Sequence, residues 1–230
     1  LIELINEAQN YVYAVFYDLD LTNVADALID AKNRGVEVKV VVDNDNMHNS
    51  AVAKLQAASI VIGDNDPDYM HNKFMIIDDR LVWTGSMNPT YNGINKNNNN
   101  VVIISGSIQL VEDFKQEFEE LWSGIYGGGS PVPYPEIAIT KDFTVEVYFA
   151  PEDNVETQII EEIGKAKESI YFATFAFTSE PIANALIEKI NQGVTVKGIY
   201  ESFQAGKYST YELLKNSGIE VVKDKNPAVM

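Results

Sequence analysis

A chain of 230 residues, 46% apolar and without cysteine, can bury one large core or two medium ones, and it excludes disulfides, zinc–thiolate centres and cysteine nucleophiles. Its 34 acidic and 17 basic residues leave a net charge of −17, a balance unsuited to bulk attraction for phosphate, because non-specific nucleic-acid affinity is built from many lysine and arginine contacts. Its apolar runs, such as residues 36–42 and 101–104, fall far short of the ~20 residues that span a bilayer, and Leu1-Ile2-Glu3 lacks the basic and apolar regions of a signal peptide, so the compartment stays unassigned.

In chain order, the pattern predicts a strand over 11–17, a helix over 23–34 closed by Gly35 where the cap needs positive φ, and a strand over 36–43. His48 follows in a polar loop. The run Asp64-Asn65-Asp66-Pro67-Asp68 alternates oxygen ligands like a calcium loop, but Tyr69 and Met75 stand where such a loop needs glycine and glutamate, so it reads as an acidic turn. An extended segment is expected over 70–78, a strand over 81–84, and an amphipathic helix over 108–122 with Leu110, Val111, Phe114, Phe118, Leu121 and Trp122 at helical spacing. Residues 127–135, rich in Gly and Pro, read as a linker.

The chain then repeats itself. At an offset of 158 residues, Ala8 matches Ala166, Tyr13 matches Tyr171, Ala27-Leu28-Ile29 matches Ala185-Leu186-Ile187, and Gly35-Val36 matches Gly193-Val194. The second copy accordingly carries a strand over 169–176, a helix over 180–192 and a strand over 194–201. Strand, helix, strand at this spacing implies parallel β-α-β units. The expected organisation is a first repeat over 1–125, a linker over 126–140, and the N-terminal half of a second repeat over 141–230. After one-residue loop shifts Met70 aligns with Met230, so a counterpart of His71 is expected beyond the last residue, and a chain starting at Leu1 reads as a piece of a longer protein.

The residues suited to chemistry lie between the strands of the first copy. On an extended segment His71 and Lys73 share a face about 7 Å apart, the reach of one phosphate group. An imidazole can attack phosphorus, and an ammonium two residues on can neutralise its oxygens. Asp78, at odd spacing, projects to the opposite face and is expected to orient neighbours. Gly85-Ser86-Met87-Asn88 allows a tight backbone, and Ser86 and Asn88 offer hydroxyl and amide donors to phosphate oxygens.

His71-x-Lys73-x4-Asp78 followed by Gly85-Ser86-x-Asn88 resembles the phospholipase D superfamily, as does the Asn-rich stretch 95–100 running into the apolar residues 101–104. The resemblance covers the whole chain, duplication included, and implies an α/β fold of tandem repeats, each a mixed sheet flanked by helices, the second incomplete here. It implies that His71 forms a phosphohistidine, that Lys73, Ser86 and Asn88 bind phosphate, and that a second motif's histidine protonates the leaving oxygen. No metal or other cofactor is called for. Many relatives carry a glutamate eleven residues after the motif's asparagine to hold the histidine; here that position is Asn99, whose neutral amide stabilises an imidazolium less well.

The expected function is a phosphodiesterase acting on phospholipid headgroup esters. The alternatives are a nuclease using the same chemistry on DNA or RNA, and a non-catalytic binding descendant. The partner of this motif is expected to be the second repeat, or a second copy of the chain.

Overall fold

The structure, a computed structural model, describes residues 1–228, so the pairing of Met70 with Met230 lies outside the described residues. The chain divides into two compact units, Leu1–Asp153 and Asn154 onward.

The first unit runs α1 (Ile2–Glu7), β1 (Tyr11–Phe16), α2 (Thr22–Asn33), β2 (Glu37–Val42), α3 (Ser50–Ala57), β3 (Val61–Gly63), β4 (Lys73–Ile77), β5 (Leu81–Gly85), α4 (Tyr91–Asn95), β6 (Val101–Ser105), α5 (Ile108–Trp122), β7 (Glu136–Thr140) and β8 (Phe143–Glu146). Six of its strands form one sheet in the order β3-β2-β1-β4-β5-β6. β1, β2 and β3 are parallel, as the β-α-β spacing requires, while β4, β5 and β6 run antiparallel to their neighbours. The sheet is mixed.

Every residue of β1 and β4 is buried, because both faces of the sheet are covered and side chains alternate between them. Val12, Ala14, Phe16, Val40, Met75 and Trp83 pack on one face with Leu28, Val52 and Leu55 of the helices α2 and α3. Tyr13, Val15, Val41, Phe74, Ile76 and Val82 pack on the other with Leu110, Phe114, Phe118 and Leu121 of α5. Each large side chain so buried contributes about 1.5–3 kcal/mol. Helix α5 starts at Ser107, whose hydroxyl accepts from the Leu110 N–H at 3.3 Å, an N-cap at the first residue of the apolar periodicity.

The glycine- and proline-rich stretch after α5 lies against that helix. Ser130 donates its N–H to Glu120 and Gln116 donates to the Ser130 carbonyl, while Val132 is 8% exposed and donates its N–H to Asp153. Val147 and Phe149 join the α5 core, so residues 141–153, expected with the second repeat, pack within the first unit. Composition signals the loss of regular structure but not the contacts that side chains make with the exposed backbone.

The second unit contains α6 (Val155–Lys165), β9 (Ser169–Thr174), α7 (Glu180–Asn191), β10 (Thr195–Tyr200), α8 (Tyr211–Asn216) and β11 (Glu220–Lys223). Its three strands are parallel, in the order β11-β10-β9. The duplication reaches the level of register: Tyr13 stands opposite Lys39 in the first unit, and Tyr171 opposite Lys197 in the second. Gly35 and Gly193 close their helices at φ of 97° and 88°, a conformation in which a Cβ is strained.

Candidate active site

Strands β1 and β2 end at Phe16 and Val42, and the antiparallel β4 begins beside them, with Lys73 opposite Phe16. One end of the central strands therefore gathers Tyr17, Asp43, His71 and Lys73. The extended segment is shorter than expected, because β4 starts only at Lys73 and residues 70–72 are held by other contacts. Met70 donates its N–H to the carboxylate of Asp43 at 2.9 Å, and Tyr17 donates its N–H to the Asn72 carbonyl at 3.0 Å. His71 is thus pinned on both sides.

The His71 ring lies 4.7 Å from the ring of Tyr17, centroid to centroid. His71 is exposed at its surface, yet partial removal from water by the protein packed around the ring, with the Lys73 charge adding to it, lowers the imidazole below its ordinary value, and Asp43 partly opposes them. It is the neutral, nucleophilic form that is favoured. Lys73 is 7% exposed. Its ammonium donates to the His71 carbonyl at 2.6 Å and sits 5.1 Å from the Tyr17 ring centroid. Burial pushes it down to about 8, against the pull of Asp18 and Asp43, so near neutrality it is a cation stripped of much of its water and available to an anion.

Strand β5 carries the second half of the motif alongside. Phe74 pairs with Thr84, and a cleft of about 350 Å³ is lined by His71, Lys73, Thr84 and Gly85 together. Gly85 has φ of 150°, and a Cβ there would run into the Asn100 carbonyl. The Ser86 hydroxyl donates to the Asn99 amide oxygen at 3.0 Å and accepts from the Asn100 N–H at 3.0 Å. Asn99 in turn donates to the Gly93 carbonyl at 3.0 Å. Among the described residues the amide oxygen of Asn88 is buried without a hydrogen-bond partner.

His71 and Lys73 are brought into contact with each other, and Ser86 with Asn99. Asp78 is not part of this cluster. It lies past the other end of β4 at φ of 57°, where strand alternation no longer applies. Its carboxylate accepts the N–H groups of Gln9, Asn10 and Tyr11 at 2.7, 2.7 and 2.9 Å. Asn99 bonds to Ser86 and Gly93, and among the described residues no hydrogen bond joins it to the His71 ring. Three residues that the sequence did not single out stand around the candidate site: Tyr17, Asp43 and Glu117, the last accepting from the Asn72 side chain at 2.9 Å. Asp43 had a signal, as the first residue past a parallel strand's C-terminal end, where open α/β sheets form sites.

A mixed sheet that presents His-x-Lys at the start of one strand and Gly-Ser-x-Asn at the end of the next defines an α/β domain of the phospholipase D superfamily. The chain belongs to that superfamily: the family described as "Cardiolipin synthase, PLD-like domain" matches residues 1–122 and 159–229, two segments that agree with tandem repeats. The chain is 37% identical over 103 residues to a mitochondrial cardiolipin hydrolase of Chlamydomonas reinhardtii, covering 44% of this chain and 46% of that protein. To a phospholipase D of Rickettsia typhi it is 35% identical over 121 residues, covering 51% and 59%. The crystal structure of a phospholipase D family member, Nuc from Salmonella typhimurium, superposes with a TM-score of 0.50 at 29% identity, covering 54% of this chain and 84% of that one. The chain spans about half the length of the curated relatives it matches.

Proposed function

We propose that this chain supplies the nucleophilic half of a phosphodiesterase that hydrolyses phospholipid headgroup esters through a phosphohistidine. The observation that carries the reading is the pairing of His71 with Lys73: an imidazole kept neutral, on a backbone pinned at both neighbours, beside a buried ammonium. The imidazole nitrogen attacks phosphorus and the P–O bond to the leaving alcohol breaks. A second histidine, from another motif in a second repeat or a second copy of the chain, protonates the departing oxygen. That histidine then takes a proton from water, whose oxygen attacks phosphorus, and the P–N bond breaks to free the phosphate monoester and restore His71. Lys73, Ser86 and Asn88 hold the non-bridging oxygens, where charge builds in the transition state.

The choice of lipid follows the names of the curated relatives, a cardiolipin hydrolase and a phospholipase D, and the net charge of −17, which disfavours tracking a polyanionic strand. The test is incubation of the full-length protein, with the second motif present, with vesicles of cardiolipin or phosphatidylcholine and, separately, with single-stranded DNA, in EDTA and beside a His71→Ala variant. The 230-residue chain alone is expected to be inactive unless a second copy supplies the histidine. Lipid turnover lost in the variant supports the reading. DNA cleavage without lipid turnover replaces it with a nuclease, and turnover of neither leaves a binding protein.

A further inference from the structure

We infer that Glu117 is a positioning residue for His71, acting through the side chain of Asn72. The inference rests on the catalytic role proposed for His71. Residues 70–72 precede β4 and lack its ladder, so the backbone on which the imidazole stands depends on individual anchors. On one side the anchor is Asp43, 2% exposed, which accepts the Met70 N–H at 2.9 Å. On the other side Glu117, 7% exposed and projecting from α5, accepts from the Asn72 amide at 2.9 Å, while the Asn72 carbonyl is held by the Tyr17 N–H at 3.0 Å. Two buried carboxyl groups therefore hold the residues on either side of one histidine, Asp43 through the Met70 N–H and Glu117 through the Asn72 side chain.

The cost of Glu117 argues that the contact is retained for more than packing. A carboxyl oxygen of Glu117 lies within 4.8 Å of one each from Glu120 and Glu152, and burying a carboxyl beside other carboxyls is unfavourable. Burial, then the charge and hydrogen bond of Glu152, raise Glu117 well above the ordinary carboxylate range. A proton on one oxygen of the Glu117 carboxyl leaves the other able to accept from Asn72. A cavity of about 380 Å³ runs from these acids to His71, lined by Asn72, Glu117, Glu152 and Tyr69. Natural sequences break packing rules of this kind where a site requires it.

The experiment compares Glu117→Leu, Glu117→Gln, Asn72→Ala and the Asn72→Ala/Glu117→Leu double variant. Glu117→Leu keeps the volume and removes the buried acid, so its Tm stays at or above wild type. Its kcat is expected to fall about tenfold or more, as small misplacements of a reacting group do, with KM little changed. Glu117→Gln restores the acceptor and most of kcat, and the double variant is no worse than the worse single. Because the chain has only two histidines, His48 and His71, their proton NMR signals give a readout independent of turnover: the His71 resonance shifts in Glu117→Leu and that of His48 does not. An unchanged His71 resonance, equal losses in the Gln and Leu variants, or multiplicative losses in the double variant would each overturn the inference. Should wild type turn over neither lipid nor DNA, the proposed function fails, while the resonances still decide the role of Glu117.

Discussion

The ammonium of Lys73 sits 5.1 Å from the centre of the Tyr17 ring, and the same ring lies 4.7 Å from that of His71. One aromatic side chain thus organises both groups of the proposed reaction, and their ionisation sets its pH dependence. Burial pushes Lys73 down to about 8, and the reaction needs it charged, so kcat/KM is expected to decline as pH rises through about 8. Desolvation and the Lys73 charge hold His71 below 6.5, and the reaction needs it neutral, so the acidic limb falls below that value. The profile is a bell with its plateau near neutrality. Lys73→Arg tests the assignment, since a guanidinium does not deprotonate in this range: the alkaline limb should vanish while the maximum drops about 10- to 100-fold. An alkaline limb that stays in place in the arginine variant assigns it to another group.

Asp78 is part of the motif, yet its contacts are structural. Burial would raise this carboxyl, but the N–H groups of Gln9, Tyr11 and Asn10, with the Arg80 charge, outweigh it and hold the group below its ordinary value. A carboxyl depressed in the folded state adds stability above its unfolded value of 3.8, and that stability is lost as pH falls through the folded value. Asp78→Ala is therefore expected to lose about 1.5–3 kcal/mol at pH 7, with the gap to wild type closing below pH 4 in chemical denaturation. The kcat per folded molecule should stay within a few-fold of wild type; a loss of 100-fold would restore a catalytic role.

These contrasts mark how far the sequence could be read. The helix expected over 108–122 forms with those bounds, and the strand expected over 11–17 ends one residue early, because apolar periodicity is a local property. The short elements α1, α3, α4 and α8 span only 5–8 residues, too few for a period to emerge. His71, Lys73, Ser86 and Asn88 could be singled out as candidates because their order along the chain is itself the pattern. Glu117 was not. It meets Asn72 across 45 residues, and nothing in a single sequence links a helix position to a strand edge before the sheet has folded. Asp78 lies away from His71 and holds neighbouring backbone, as expected, but for a different reason: it sits one residue past Ile77 in a positive-φ turn, where strand alternation does not apply.

Gly85 tests the motif's backbone. At φ of 150° with no room for a Cβ beside the Asn100 carbonyl, Gly85→Ala must rotate or displace the strand end that carries Ser86. Strain of this type costs about 1–3 kcal/mol. The Ser86 N–H bond to the Asn100 carbonyl, 3.1 Å long, should break with it. The variant is expected to lose several degrees of Tm and most of its activity together, whereas Gly35→Ala, with open space around its Cβ but φ of 97°, should lose stability alone. Equal activity per folded molecule in both variants would detach Gly85 from the site.

Glu117 makes a prediction about stability that is separate from turnover. A carboxyl whose folded value is raised above 4.5 takes up its proton more tightly in the folded state, so its contribution is harmless below pH 4.5 and erodes stability as pH rises towards the folded value. Glu117→Gln removes that penalty and keeps the hydrogen bond to Asn72. Its Tm should match wild type near pH 4 and exceed it by a few degrees near pH 8, measured by thermal scans across the range. A constant offset between the two proteins at every pH would mean that Glu117 titrates normally in the folded state.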